Sequence, residues 1–155
     1  MTYYVTKPAV DNFKAYINAN YETYLALIRT ASGYRELTRM AKVYIDNDYV
    51  GKGRVKPYMI LDPSNNTPDD EGSGCIESVL NFDVIIACEG ASSEEVTGHS
   101  MCYADAFQSM ILSDDTLGDT VQHASVVDFE YYTGGVGMIK YVLLNVELTV
   151  NTDRS

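Results

Sequence analysis

Five side chains in this sequence are of types that bind metals or act as nucleophiles: His99, His123, Cys75, Cys88 and Cys102. The histidines are far apart, and neither is predicted to have a Cys, Asp or Glu partner at ligand spacing. The three cysteines cannot all pair and show no C-x-x-C spacing. Cys88 and Cys102 stand in segments patterned for burial, where apolar surroundings raise a thiol pKa. We therefore predict structural or surface roles for these residues and no metal site.

Catalytic motifs are not found either. The glycine pairs at 51–53 and 134–137 fall in predicted hairpins, whereas a phosphate-binding glycine loop lies between a strand and a helix. The sequence has no Gly-x-Ser-x-Gly elbow. Asp69, Asp70 and Glu71 adjoin one another in a predicted exposed loop, where burial cannot tune a carboxyl pKa. We predict a protein that is not an enzyme and uses no cofactor.

Length and charge limit the remaining classes. A chain of 155 residues has the size of one domain, and we predict a single domain over residues 1–155. Its 11 Lys and Arg against 22 Asp and Glu give a net charge of −11, which repels phosphates and anionic lipids. No apolar stretch is long enough to span a bilayer, and the first residues do not resemble a signal peptide. We predict no sequence-specific nucleic-acid binding, no membrane association and synthesis in the cytosol.

Two helices are predicted to support the domain. The first runs from Thr6 to Gly33, with an apolar stripe at Val10, Phe13, Ile17, Tyr21, Tyr24, Leu25 and Ile28. The second starts at Ser92, where the S-x-x-E spacing to Glu95 predicts a capping box. Its stripe is Met101, Ala104, Phe107, Met110 and Ile111, and it ends in the polar residues 113–116.

Alternating segments predict strands at 37–46, 55–61, 76–89, 121–132 and 137–150. The first two are predicted to pair as a hairpin around 47–53, and the last two as a long hairpin around 133–136. The predicted fold class is α+β, with a mostly antiparallel sheet that has a long C-terminal hairpin and is covered on one face by two helices.

Two charged segments are candidate interaction sites. Lys52, Arg54 and Lys56 concentrate positive charge on an acidic chain, and they suit either a solvated sheet edge or a docking patch for an acidic neighbour. Residues 62–74, which include Asp69, Asp70 and Glu71, have almost no apolar content and are predicted to form an exposed, mobile loop. This segment resembles the start of a calcium loop but lacks its central glycine and its closing glutamate, so we predict no calcium site.

The C-terminal part of the chain resembles a known family. An acid-capped helix containing Tyr103-Ala104-Asp105-Ala106-Phe107 is followed by the segment 114–121 and by a hairpin that closes on a long hydrophobic strand. This order resembles the tail terminator, or tail completion, proteins of long-tailed bacteriophages. The resemblance covers residues 94–150 well and the rest in outline, through chain length and element order.

The resemblance implies a homohexameric ring that caps the tail tube, ends tail polymerisation and joins the tail to the head. The implied partners are further copies of the chain, the tail tube protein and the head connector or a head-completion protein. The implied location is the head–tail junction of a virion assembled in the host cytoplasm, and loops such as 62–74 are implied to contact the tube. The alternatives are another phage neck or tail-tube component, or a small α+β ligand-binding domain or enzyme.

Overall fold

The structure is a computed structural model that describes residues 2–51, 53–70, 74–134 and 138–153. Its first element is helix α1, Thr6–Ser32, which ends at Gly33 in the left-handed conformation with φ of 79°. The Gly33 N–H donates to the Arg29 carbonyl at 3.1 Å, a C-terminal cap that suits glycine. The start and end predicted for this helix are confirmed.

Helix α2, Ser93–Ser113, begins with the predicted capping box. The Glu95 N–H donates to the Ser92 hydroxyl at 3.1 Å, and the Glu95 carboxylate accepts the Ala91 N–H at 2.6 Å. The predicted stripe is buried except at Met101, which is 47% exposed, because the buried face of α2 is turned toward Cys102 and Tyr103. Neither α1 nor α2 combines the length and apolar character that a membrane-spanning helix in the described residues would need.

One five-stranded sheet forms the other layer, in the order β1-β2-β3-β5-β4. The strands are β1 Lys42–Ile45, β2 Tyr58–Asp69, β3 Cys75–Glu89, β4 His123–Thr133 and β5 Ile139–Asp153. Three of its four strand pairs are antiparallel. This architecture confirms the predicted fold class.

The core lies between the two helices and one face of the sheet, which we call the inner face. Phe13 of α1 packs edge-on against Phe82 of β3 at 5.6 Å and against Phe107 of α2 at 6.1 Å between ring centroids. The Tyr21 hydroxyl donates to the Tyr103 carbonyl at 2.7 Å, so this buried hydroxyl is satisfied inside the core. Aromatic rings thus join α1, α2 and the sheet.

The structure corrects the hairpin predicted for residues 37–61. Strands β1 and β2 are parallel, with Lys42 opposite Tyr58 and Ile45 opposite Leu61. A parallel pair needs a crossover connection, and residues 46–57 supply it instead of a tight turn. The prediction was wrong because alternation alone does not fix the direction in which two strands pair.

The predicted loop at 62–74 is corrected over residues 62–69, because β2 continues through Asp69. Residues 71–73 of this prediction lie outside the described residues. Its residues from Asn65 to Asp69 pair with Asn81 to Glu77 of β3, after a register shift between Pro63 and Asn65. Strand β1 is so short that this half of β2 lies at the sheet edge, where prolines cost no ladder hydrogen bond. The segment is exposed, as predicted, but it is strand where loop was expected.

Phe107→Ala should destabilise the domain by about 3–5 kcal/mol, because it removes a fully buried ring and leaves a cavity beneath α2. Urea unfolding measures the loss. Met101→Ala is the matched control on the exposed side of the same helix and should change stability by less than about 0.5 kcal/mol. Equal effects of the two substitutions would contradict this assignment of helix faces.

Candidate functional site

The face of the sheet opposite the helices, which we call the outer face, carries the features that suggest binding. At one end it is apolar, because Tyr58, Ile60, Ile85 and Ala87 form a buried cluster separate from the main core. The partly buried residues around this cluster are Tyr44, Tyr49, Tyr141 and Leu143. The side chains of a strand alternate between faces, so the same strands supply both the main core and this second cluster.

The crossover 46–57 folds over this apolar end. The Tyr58 hydroxyl lies 2.6 Å from the Tyr49 carbonyl and 2.8 Å from the Val50 carbonyl, and the Tyr49 hydroxyl donates to Asp62 at 2.5 Å. Gly51 has φ of +54°, and a Cβ there would lie 2.9 Å from the Tyr58 hydroxyl oxygen. Glycine at this position therefore lets the crossover approach the sheet closely.

An open groove of about 320 Å³ remains beside the crossover. Its wall includes Ile85 and Leu143 from the sheet and two strongly exposed side chains, Val50 at 64% and Tyr132 at 50%. Apolar surface of this kind, rimmed by polar groups, is typical of a protein contact or a ligand groove.

The groove adjoins β4, which forms one edge of the sheet. β4 contains neither Pro nor Lys, and the features on it that discourage further strand pairing are Asp128, Glu130 and the register shift at Val126–Asp128. Val127 at that shift is 59% exposed, and Tyr131 and Tyr132 further along the strand are also exposed. By contrast, the free half of β2 at the opposite side carries Pro63 and Pro68.

The rest of the outer face is acidic. Directly opposed residues in antiparallel strands share a face, so the register places Asp62 opposite Asp83, and Asp69 opposite Glu77. The same rule places further acids from β4 and β5 on this face, namely Asp128, Glu130 and Glu147. Part of the net charge of −11 is thus gathered on one side of the sheet.

Asp83 shows the electrostatic cost of this arrangement. Burial, together with the neighbouring charges of Asp62 and Glu130, raises the pKa of the Asp83 carboxyl above its usual value. The Tyr49 hydroxyl lies 3.5 Å from this carboxyl and opposes the shift. In the folded state the charged form of Asp83 is therefore less favourable than in the unfolded chain.

The predicted basic group lies in the crossover and is partly used within the chain. Arg54 forms an ion pair with Asp46 at 2.6 Å and lies 4.0 Å from the centroid of the Tyr44 ring. The Lys56 ammonium lies 6.0 Å from the Tyr58 ring centroid. Lys52 is outside the described residues. Arg54 therefore has a local role in holding the crossover, which the sequence did not indicate.

The predicted acidic group lies at the far end of β2. Asp69 is its last residue and faces Glu77, Asp70 follows it, and Glu71 is outside the described residues. At about 3.3 Å per residue, the twelve-residue strand separates the basic and acidic groups by roughly 35 Å. Of the described members, Arg54 and Lys56 precede one end of β2, whereas Asp69 and Asp70 stand at the other end.

A cluster of potential metal ligands lies on the helix side of the molecule. Glu36, Glu95 and His99 place their ligand atoms within 4.8 Å of one another. The sequence contained a signal for two of them, since Glu95 and His99 are one helical turn apart, and the prediction that His99 lacks a ligand-spaced neighbour was wrong. Glu36 comes from the irregular segment between α1 and β1, and nothing in its local sequence marked it.

The two buried cysteines behave as predicted. Burial raises the pKa of the Cys88 thiol to about 12, and burial also raises the pKa of Cys102. Both therefore remain neutral thiols near pH 7, which suits packing and not nucleophilic attack.

Comparison with known proteins gives a likeness in fold to a solved structure. No protein-family model matches the sequence, and no curated protein matches it. The fold is similar to that of a chain in a solved structure described as the virion of a native gene transfer agent particle. That likeness has a TM-score of 0.50 at 13% sequence identity, and covers 86% of this chain and 93% of the other. At this identity the likeness shows a shared fold.

Asp83→Asn should stabilise the protein at pH 7 by about 0.2–1 kcal/mol, the usual size of a cross-strand charge effect. The gain should disappear as the pH falls toward the carboxyl pKa, because the wild-type side chain is then protonated as well. Urea unfolding at both pH values measures this. Glu147→Gln removes a charge from the same face opposite Asn81 and should give a smaller gain; a larger gain in this control would contradict the proposed repulsion.

Proposed function

We propose that this protein is a structural component of a phage-like virion that assembles as a ring, as the tail terminators it resembles do. The observation that carries the proposal is the β4 edge, which has no strand beyond it among the described residues, bears exposed apolar side chains and adjoins an apolar groove. The fold likeness to a chain of a gene transfer agent virion supports the same class. In the proposed virion the ring sits at the head–tail junction, between the tail tube protein and the head connector or a head-completion protein.

A ring of identical subunits needs two different surfaces that fit one another, because its contact is head-to-tail. The β4 edge with the groove supplies one surface of this contact in the proposal. The separation of Lys56 from Asp69 along β2 suits the same geometry, since a contact between neighbouring subunits can join opposite ends of the strand. Lys52 and Lys56 of one subunit then face Asp69, Asp70 and Glu71 of the next.

The acidic part of the outer face suits the lumen of such a ring. A lining of carboxylates repels the DNA backbone, so DNA could pass without being retained. Four neighbouring strands, β2, β3, β5 and β4, each contribute acids to this surface. This use of the acidic surface requires no catalysis and no bound cofactor.

A second class of function, a monomeric ligand-binding domain, is favoured only by the groove. At about 320 Å³ the groove falls at the lower limit of small-molecule sites, and it is lined mainly by apolar and aromatic side chains. It is open on one side, which suits a protein contact better than an enclosed ligand.

Tyr132→Lys should shift the assembled protein toward monomers, because it places a charge on the β4 edge and beside the groove. Size-exclusion chromatography with light scattering measures the change. Leu27→Lys is the matched control, since Leu27 is an exposed apolar residue of α1, away from the sheet edge. A wild-type chain that stays monomeric at high concentration, and shows no ring by negative-stain microscopy, would overturn the proposal.

Reversal of the basic group tests the charge contact separately. Lys52→Glu with Lys56→Glu should weaken the ring at low salt and be partly rescued near 0.5 M sodium chloride, where the screening length falls to roughly 4 Å. Arg54 is left intact because its loss would break the local pair with Asp46. Adding Asp69→Lys and Glu71→Lys to the same chain should restore assembly. If the four-residue variant assembles no better than the double variant, these groups do not meet.

A further inference from the structure

A polar cavity of about 210 Å³ lies at the end of the domain where α2 begins. It is bounded by that helix, by the end of β3 and by the segment that joins α1 to β1. Three carboxylates and one lysine line it together with the His99 imidazole, and the charged residues are Glu36, Glu89, Glu95 and Lys56. The negative charge of this wall favours a cation.

The distances inside the cavity match the spacing of ligands around one metal ion. The His99 Nε2 lies 3.2 Å from Glu36 Oε1 and 3.8 Å from Glu95 Oε1. Two nitrogen or oxygen ligands at about 2.1 Å from a tetrahedral ion stand about 3.4 Å apart. The two observed separations fall on either side of that value.

The imidazole is held in place by its surroundings. His99 is only 6% exposed, and the Tyr34 ring packs edge-on against it with centroids 5.2 Å apart. Gly98 allows this contact, because a Cβ there would lie 2.5 Å from the Tyr34 hydroxyl oxygen. The ring nitrogen therefore points to the two carboxylates from a fixed position, as a metal ligand requires.

Helix capping and hydrogen bonding do not account for all three groups. One oxygen of Glu95 accepts the Ala91 N–H as part of the helix cap. Its other oxygen, at 3.8 Å from His99 Nε2, is too far away for a hydrogen bond. A single ion would bind this oxygen, the imidazole and Glu36 together.

We propose that Glu36, Glu95 and His99 form a binding site for a divalent transition-metal ion of the Zn²⁺ type, with water completing the coordination. One imidazole with two carboxylates suits Zn²⁺ or Co²⁺, whereas Ca²⁺ and Mg²⁺ favour oxygen-only sites. The Cys88 thiol also lines the cavity, but its sulfur is not among the ligand atoms that lie within 4.8 Å of one another. The bound ion would fasten the segment that follows α1 to the first turns of α2.

Titration of the full-length protein with Zn²⁺ in a calorimeter tests this site, with Co²⁺ absorption as a second readout. We expect one ion per chain, a higher melting temperature with Zn²⁺, and no thiolate charge-transfer band with Co²⁺. Glu36→Gln and Glu95→Gln should each weaken Zn²⁺ binding at least tenfold. Loss of a residue that only orients a metal ligand already lowers metal affinity by about 10–100-fold, and these substitutions remove a ligand itself. Glutamine preserves the capping box at position 95, so the folded protein is retained.

His123→Ala is the matched control, because His123 pairs with Asp115 at 3.2 Å on the surface but has no third ligand there among the described residues. It should bind Zn²⁺ like the wild type. All these variants keep the three cysteines, so binding through thiols would survive in each of them. No binding by the wild type, or equal binding by the wild type and both glutamine variants, would overturn the proposal. None of Glu36, Glu95 and His99 lies in β4 or in the proposed charge contact between subunits, so failure of Zn²⁺ binding and failure of ring formation are separate results.

Discussion

The antiparallel pairing of β3 with β5 is the constraint on which the rest of the structure depends. It runs over the full length of both strands, from Cys75 opposite Asp153 to Glu89 opposite Ile139. On the inner face it opposes eight residues that are almost completely buried, namely Leu80, Phe82, Val84, Ile86, Val142, Leu144, Val146 and Leu148. A slip of either strand by one residue would turn its four members of this set to the outer face and bring an acid such as Asp83 or Glu147 into the core. The register of this pair therefore fixes both the core and the acidic surface.

The long helices and strands were predictable because buried apolar residues recur in them at regular intervals along the chain. The capping box at Ser92 and the glycine at 33 also marked the helix ends correctly, since each satisfies backbone groups locally. The direction of β1 and the strand character of residues 62–69 were not predictable by the same means. Both depend on position in the sheet: β1 is set by the path of the crossover, and β2 accepts Pro63 and Pro68 because that half of it lies at an edge.

The candidate surfaces likewise have some features that the sequence showed and others that only the folded structure shows. Composition revealed an acidic protein, but only the register shows that the acids of four strands share the outer face. The charged segments at 52–56 and 69–71 were visible as charge, whereas the pairing of Arg54 with Asp46 and its stacking on Tyr44 required the folded crossover. Likewise, Glu95 and His99 could have been found from helical spacing, but Glu36 is 59 residues before Glu95 in the chain and joins them only through tertiary packing.

The outer face combines apolar surface at one end with like charges over the rest, and these two features act over different distances. Apolar contact stabilises by about 25 cal/mol per Å² of buried surface, but only where groups touch. Repulsion between exposed carboxylates is screened beyond about 8–10 Å at physiological salt. A neighbour that covers the Tyr132 edge and its groove could therefore gain burial while the acids further along the face stay in water. In the proposed ring, one face could then both hold the next subunit and repel the DNA that passes it.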